Sequence, residues 1–244
     1  MCSLGIISDI HSNSVALESV LNHLRNNFPE VEEIYCVGDI VGYGPDPKKC
    51  LEELFNKNNQ ITKTVKGNHD DYVARHFIPP QVNEVARNAI DYQIKNTPLE
   101  LRWELGQLPH SISYNHVKSR KEIVLVHGSP QYPLIDYVYP NSPKQQNLFE
   151  YMTDNKVDVL ILGHTHIPFV KKSTLNETDE LLMVNPGSVG QPRDGDSRAS
   201  YALIDLDNQT ADIQRVDYDI SMVFKQIEKS GLPIEVGLRL FKGK

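Results

Sequence analysis

The feature that most restricts this chain is a series of short, β-branched apolar runs, each stopping abruptly at a residue able to bind metal or phosphate. LGIIS leads to Asp9, EIYCVG to Asp39, TKTVKG to Asn68, IVLV to His127 and VLILG to His164. Continuous apolar runs of this length fit strands covered on both faces. Open α/β sheets collect ligands at the carboxyl ends of their strands, so one edge of one sheet is expected to gather these side chains.

Segments with helical spacing lie between the runs. Leu17, Val20, Leu21 and Leu24 follow Asn13 and Ser14, either of which can cap a helix. Asp46 and Pro47 open a second helix with Cys50, Leu51, Leu54 and Phe55 inward. Val82, Val85, Ala86, Ala89 and Gln93 mark a third. Thr97, Pro98 and Glu100 read as a capping box that opens a fourth, closed by Gly106. Ser142 and Pro143 precede a fifth, and Asp219 begins a sixth that ends near Gly231. The mostly helical stretch 77–109 separates two ligand-bearing runs and reads as a cap or insertion beside the site. After His166, LLMVN, YALIDL and ADIQRVDY follow with turns but no helices, the pattern of antiparallel hairpins in a second sheet stacked on the first. The 244 residues suit one large α/β domain, 1–244, better than two small ones.

Charge and cysteine usage narrow the function. With 25 Lys and Arg against 32 Asp and Glu, the formal charge is -7, which disfavours duplex nucleic acid as a partner and leaves a small anionic substrate drawn by a local positive centre. Cys2, Cys36 and Cys50 form no C-x-x-C pair and are an odd number, which fits a reducing cytoplasm. No window approaches the roughly 20 apolar residues of a membrane span, so a soluble, unanchored protein is expected. A homo-oligomer stays open.

The chemistry is carried by seven candidate metal ligands in order: Asp9 and His11 in D-x-H, Asp39 in GDIVGYG, Asn68 in GNHD, His127 in VHGSP, and His164 and His166 in GHTH. Any one motif alone is commonplace in turns and loops; the ordered set, each member after a strand-like run, is not. Imidazole, carboxylate and amide oxygen without thiolate suit two divalent ions, manganese first, with iron, cobalt, nickel or zinc compatible. Alternation along extended chain turns Asp9 and His11, and likewise His164 and His166, toward one locus. Two carboxylates against two dications leave a local charge of about +2, a site for an anion. Asp39, in the middle of the set, is the candidate bridge and catalytic carboxylate. His69, directed away from Asn68 by the same alternation, is free to act as a catalytic acid or to hold a phosphate oxygen.

These motifs resemble the calcineurin-like metallophosphoesterase superfamily, and SDIHSN, GDIVGYGPDP, GNHD, VHGSP, GHTH and NPGSVGQPRDG together look like its small prokaryotic phosphodiesterase branch. The resemblance implies a four-layer α-β-β-α sandwich of two mixed β-sheets flanked by helices. It implies one ion on Asp9, His11, Asp39 and His166, a second on Asp39, Asn68, His127 and His164, and hydrolysis of a phosphodiester or small phosphorylated metabolite by a metal-bridging hydroxide. Asn13, Asp70, Asn185 and Ser188 match positions that support such a centre or touch substrate. Protein phosphatases of the superfamily carry Asp and Arg where this chain has Gly42 and Tyr43, so the phosphate clamp is missing and a protein phosphatase is disfavoured. His69 is left without an assigned partner, Asp46 and Asp70 being the nearest candidates in sequence. A nuclease and a scaffold that kept the fold without catalysis are the competing readings. Arg193 reads either as a substrate contact or, more simply, as a surface salt bridge. Tyr72, Tyr132, Tyr137 and Tyr139 read either as a cleft wall or as packing.

Overall fold

A computed structural model describes residues 3–174 and 180–244; Cys2 lies outside them. The strands are β1 (Ser3–Ile7), β2 (Glu33–Cys36), β3 (Ile61–Thr64), β4 (Ser111–His116), β5 (Lys121–Val126), β6 (Val159–Ile161), β7 (Phe169–Thr174), β8 (Glu180–Asn185), β9 (Ala199–Asp205) and β10 (Thr210–Val216). They form two five-stranded sheets, ordered β10-β9-β1-β2-β3 and β4-β5-β6-β8-β7. Both are mixed: β1, β2 and β3 run parallel, as do β5, β6 and β8, while β9 and β10 in the first sheet and β4 and β7 in the second are attached antiparallel.

Strand alternation sorts the side chains into layers. Leu4 and Ile6 of β1, Ile123 and Leu125 of β5, Val159 and Ile161 of β6, and Leu182 and Val184 of β8 meet in one buried cluster between the sheets. The residues between them point outward. Ile7, Cys36 and Tyr201 join the cluster beneath the helices of the first sheet, and Val124, Leu160 and Met183 join a third cluster beneath Leu148 and Met152 on the second. Each sheet is therefore covered on both faces, which is why the strands read as unbroken apolar runs.

The helices covering the first sheet include α1 (Ser14–Asn27), α2 (Pro47–Phe55), α4 (Glu84–Asn96) and α5 (Leu99–Gln107). Leu51, Ile90, Ile94 and Leu105 reach into its outer cluster. The short α3 (Asn68–Ala74) leaves the tip of β3, and α6 (Lys144–Asp154) covers the second sheet. At the carboxyl end, α7 (Ile220–Ser230) and α8 (Ile234–Leu240) pack on Ala89 of α4.

Four sequence expectations fail here. The ligand-bearing strands do not share one sheet: β1, β2 and β3 lie in the first, β5 and β6 in the second. Nor do the runs after His166 form a sheet of their own, because β8 pairs parallel with β6 while the β9–β10 hairpin extends the first sheet beside β1. The capping box at Thr97 is also absent. That residue ends α4, its hydroxyl donating to Gln93 O at 2.7 Å, and Gly106 lies inside α5. Other caps form as expected. Asp219 accepts from the Met222 amide and Gly231 ends α7 in the left-handed region, while Asn13 Oδ1 accepts from the Ala16 amide at 3.1 Å. The Asn13 amide also donates to Gly190 O at 2.9 Å, so one side chain starts α1 and anchors the loop after β8. Asn13→Ala is expected to cost about 1–2 kcal/mol, seen as a lower urea midpoint at unchanged slope; an unchanged midpoint would refute the dual role.

Candidate metal centre

The parallel strands of both sheets point their carboxyl ends to one end of the sandwich, and the connecting loops continue to pair there. Asp9 N donates to Gly38 O, His11 N to Asp39 O and Ser12 N to Ile40 O, each at 2.9 Å, and Gly190 N donates to Asp9 O at 3.0 Å. Asp9, His11, Asp39, His164 and His166 all have positive φ, between 47° and 70°. Left-handed backbone costs a non-glycine residue of order 1–3 kcal/mol, and here it turns side chains inward. The convergence of each D-x-H or H-x-H pair thus comes from kinked turns, not from strand alternation. Asn68 and His69 likewise sit in the first turn of α3, so alternation does not govern them either.

All seven predicted ligands are buried; six of them, Asp9, His11, Asp39, His127, His164 and His166, fall into shared groups, and Asn68 lines the adjoining cleft with His164. Ligand atoms of Asp9, His11 and His166 lie within 4.8 Å of one another, as do those of Asp39, His127 and His164 and those of His11, Asp39 and His69. Asp39 belongs to two of these groups. Its Oδ2 is 3.3 Å from His127 Nε2 and 3.7 Å from His11 Nε2, and its Oδ1 accepts from the His69 amide at 2.9 Å. A Cβ at Gly67 would stand 2.1 Å from that Oδ1, so the glycine of GNHD is what lets α3 approach Asp39.

Hydrogen bonds from behind fix which atoms face the centre. His11, His127 and His166 point Nδ1 at the carbonyls of Val41, Val37 and Gln191, at 3.3, 2.7 and 2.5 Å. An imidazole that donates through Nδ1 presents an Nε2 lone pair. Asp9 uses Oδ2 to accept from Ser8 Oγ at 2.6 Å and the His164 amide at 3.1 Å, leaving Oδ1 3.3 Å from His166 Nε2. Asn185 donates to Gly163 O at 2.8 Å and Thr165 Oγ1 at 3.1 Å, and Ser188 donates to Asp9 O at 2.7 Å. Asp70 accepts from the amides of Ile40, Val41 and Gly67 at 2.9, 3.1 and 2.9 Å. It therefore braces the Asp39 loop and is not the partner of His69; Asp46 is not either, since it accepts from Ser14 Oγ at 2.7 Å.

The atoms left over suit cations. Asp9 Oδ1, Asn68 Oδ1, His69 Nδ1 and His164 Nε2 are buried without a hydrogen-bond partner, an arrangement that costs about 1–3 kcal/mol per group unless something compensates. His11 Nε2 and His166 Nε2 face each other at 3.0 Å. With both rings donating through Nδ1 these are two opposed lone pairs, and two imidazoles on one ion with bonds of ~2.0–2.1 Å would stand at about this separation. The donor set therefore fits divalent metal.

Electrostatics agree. Burial holds the imidazoles of His11 and His166 well below their usual range and that of His164 down to about 3, so they are neutral ligands at pH 7. Burial also opposes charge on His127, but the Asp39 carboxylate outweighs it and raises the ring to about 9, while Asp39 itself is held well below the carboxylate range, chiefly by His127, against the pull of burial. Burial pushes Asp9 up to about 7, His127 drawing it down and Asp39 pushing it further up.

Sequence reasoning missed Ser8, which orients Asp9, and the surroundings of His69. The Tyr43 ring lies 4.9 Å from His11 and 4.8 Å from His69 between centroids. Beside the centre opens a cleft of about 380 Å³. Its walls include Tyr43, Tyr72, Val82 and Tyr137, with Asn68, His69 and His164 at the metal side. Tyr139 instead stacks on Tyr137 at 6.0 Å, and Tyr132 is exposed away from the cleft wall. His23 is half-buried and bonds Tyr201 Oη through Nδ1 at 2.8 Å.

Two stacked mixed sheets with a buried His, Asp and Asn cluster at their strand tips define a metallohydrolase. The chain belongs to the calcineurin-like phosphoesterase superfamily, whose domain profile matches residues 2–209, and it is a phosphoric ester hydrolase of the metallophosphoesterase type. It is 37% identical to an uncharacterized protein of Methanocaldococcus jannaschii, over 99% of this chain and 98% of that one. It is 25% identical to the phosphodiesterase YfcE of Escherichia coli, over 85% of this chain and 89% of that one. The fold matches a crystal structure of a metallophosphoesterase from Sphaerobacter thermophilus with TM-score 0.82 and 32% identity, covering 100% of this chain and 99% of that one. Membership implies divalent metal ions, for which the clusters above are candidate ligands. No helix among the described residues is long and apolar enough to cross a membrane.

Metal uptake by chelator-stripped protein should release protons, about two at pH 6 from Asp9 and His127 and about one at pH 8 from His127 alone. Affinity should rise with pH toward 9. Calorimetry in buffers of different ionisation enthalpy reads this directly, and pH-independent uptake without proton release would contradict it. In the metal-free protein the sign is opposite: the raised His127 stabilises the fold fully below its ordinary range near 6.5, and that contribution is lost as pH rises through about 9.

Proposed function

We propose that the protein hydrolyses a phosphodiester or a small phosphorylated metabolite at a dinuclear centre. One ion would be held by Asp9, His11, Asp39 and His166 and the other by Asp39, Asn68, His127 and His164. The observation that carries this reading is Asp39, whose carboxylate groups with His11 on one side and with His127 and His164 on the other. When bound, two divalent ions activate water near neutral pH and neutralise the charge that develops on phosphate oxygens, manganese being the first candidate and iron, cobalt, nickel or zinc compatible.

The remaining work falls to side chains. The His69 ring lies edge-on to His11 at 5.0 Å between centroids and at the metal side of the cleft. Its backbone is tied to Asp39 Oδ1 and its Nδ1 is unspent. It can hold a phosphate oxygen or give a proton to the leaving group. A diester is favoured over a phosphoprotein for a steric reason: a Cβ at Gly42 would lie 2.0 Å from His11 Nδ1, so the Asp that supports the catalytic His in the superfamily's protein phosphatases has no room here. The similarity to a phosphodiesterase supports the same choice, and the cleft is sized for a small substituent, not for a folded protein surface.

Two substitutions test the assignment. Asp39→Asn should lower kcat on an aryl phosphodiester by at least ~100-fold and reduce metal content, since even the outer contacts of such centres are worth 10–100-fold. His69→Ala should lower kcat by roughly 100- to 10,000-fold with metal content preserved by plasma mass spectrometry. Full turnover by the Asp39 variant stripped of metal would refute the dinuclear reading.

A further inference from the structure

We propose that Arg193 is the phosphate-binding cation of this centre, supplied by the loop after β8 in place of the arginine that the GDIVGYG motif lacks. The proposal rests on the phosphoesterase reading above and assigns the contact that orients the substrate. Arg193 does not form the surface salt bridge that its sequence context favours. The carboxylates nearest to it in sequence are engaged elsewhere: Asp194 pairs with Arg215, and Asp196 with Arg198 at 2.7 Å. Among the described residues no carboxylate oxygen comes within 4.0 Å of Arg193. Instead its guanidinium carbon stands 5.6 Å over the Tyr43 ring, and that ring touches both His11 and His69.

The placement is built from the metal centre outward. The His166 carbonyl accepts from the Arg193 amide at 3.3 Å, two residues after Gln191 has accepted from the ring of the same His166. Buried Gln191 then spends its Oε1 on Arg193 Nη2 at 2.8 Å and keeps a buried Nε2 with no partner. One guanidinium donor is thus occupied in holding the group in position and the others stay uncommitted, beside a second unspent donor. A half-buried arginine with no carboxylate partner among the described residues, stacked on an aromatic ring that itself packs against His11 and His69, has the properties of a phosphate fork. Tyr43 then has a purpose at the position where protein phosphatases carry arginine: it is the platform on which an arginine from another loop rests.

Arg193→Lys and Arg193→Met test this in the manganese-loaded protein, with inorganic phosphate binding by calorimetry as a readout beside turnover of an aryl phosphodiester. Arg193→Met should keep its metal content, raise KM and weaken phosphate binding by about 10- to 100-fold, the equivalent of a charge-assisted hydrogen bond. Arg193→Lys should recover part of the phosphate affinity. Unchanged KM and phosphate affinity at full metal content would overturn the proposal, as would loss of metal together with activity in both variants, which would make Arg193 a scaffold residue. A wild type that binds manganese and phosphate but cleaves no ester would overturn the proposed function while the phosphate measurements still decide for or against Arg193. A wild type that takes up no metal would overturn both.

Discussion

Everything at the working end of this molecule depends on carboxylates and imidazoles held in a dry pocket with their ligand atoms facing one another. Asp9, Asp39, His11, His127 and His166 are almost completely buried, yet their second atoms are spent on Ser8 Oγ and on backbone groups behind them. That arrangement removes the freedom of each side chain to turn away and form ordinary hydrogen bonds. It is unfavourable on its own, because opposed lone pairs and unpartnered buried oxygens gain nothing from each other. The cost is carried by the apolar clusters on both faces of the two sheets, which fix the strand ends firmly enough to support five left-handed ligand residues at the tips. A rigid scaffold that overdetermines its loops is the usual setting in which strained backbone persists.

Asp39 shows how the two sheets are made to cooperate. It leaves the first sheet at the tip of β2, while His127 leaves the second at the tip of β5, and their side chains meet at 3.3 Å. The His127 ring donates back to Val37 O, beside the Asp39 loop, and the His164 amide reaches across to Asp9. The centre is thus also a seam. Ligand groups of both sheets lock the relative position of the layers, so metal affinity and the packing of the sandwich are coupled quantities.

The strands, their tips and most helix starts were legible because each has a local signal: apolar runs closed by polar residues, and Asn13 or Asp219 ahead of a periodic segment. The division into two sheets was not. A strand buried on both faces looks the same in either sheet, and only β8 pairing with β6 while β9 pairs with β1 decides the partition. Thr97 misled for a related reason. The same hydroxyl can start the next helix or end the previous one, and its bond to Gln93 O is won by the helix already formed. The ligand set was legible as residue types in order, but the reason for their convergence was misread: alternation belongs to extended chain, and these residues sit in left-handed turns and a helix start. Ser8 and Tyr43 carried no motif of their own and became visible only through what they touch.

The separation between centre and cleft bears on how such a site acquires specificity. The ligand residues are fixed by backbone pairing among five strand tips, and changing one disturbs its neighbours. Tyr43 and Tyr72 reach the cleft from the ligand-bearing segments, but the rest of its wall comes from elsewhere: Val82 and Ala86 from the start of α4 and the residues before it, Leu134 and Tyr137 from the connection between β5 and α6. These two segments belong to different sheets' connections and make no ladder with the strand tips. The 77–109 stretch buries Ile90, Ile94 and Leu105 in the core beneath it, so its helices are held in place while its leading residues are free to differ. Of these two segments, Tyr137 makes the close link, its ring 3.9 Å from that of His164. A wall built this way can be reshaped without touching the metal ligands, which is why the motifs that define the chemistry say so little about the substituent the phosphate carries.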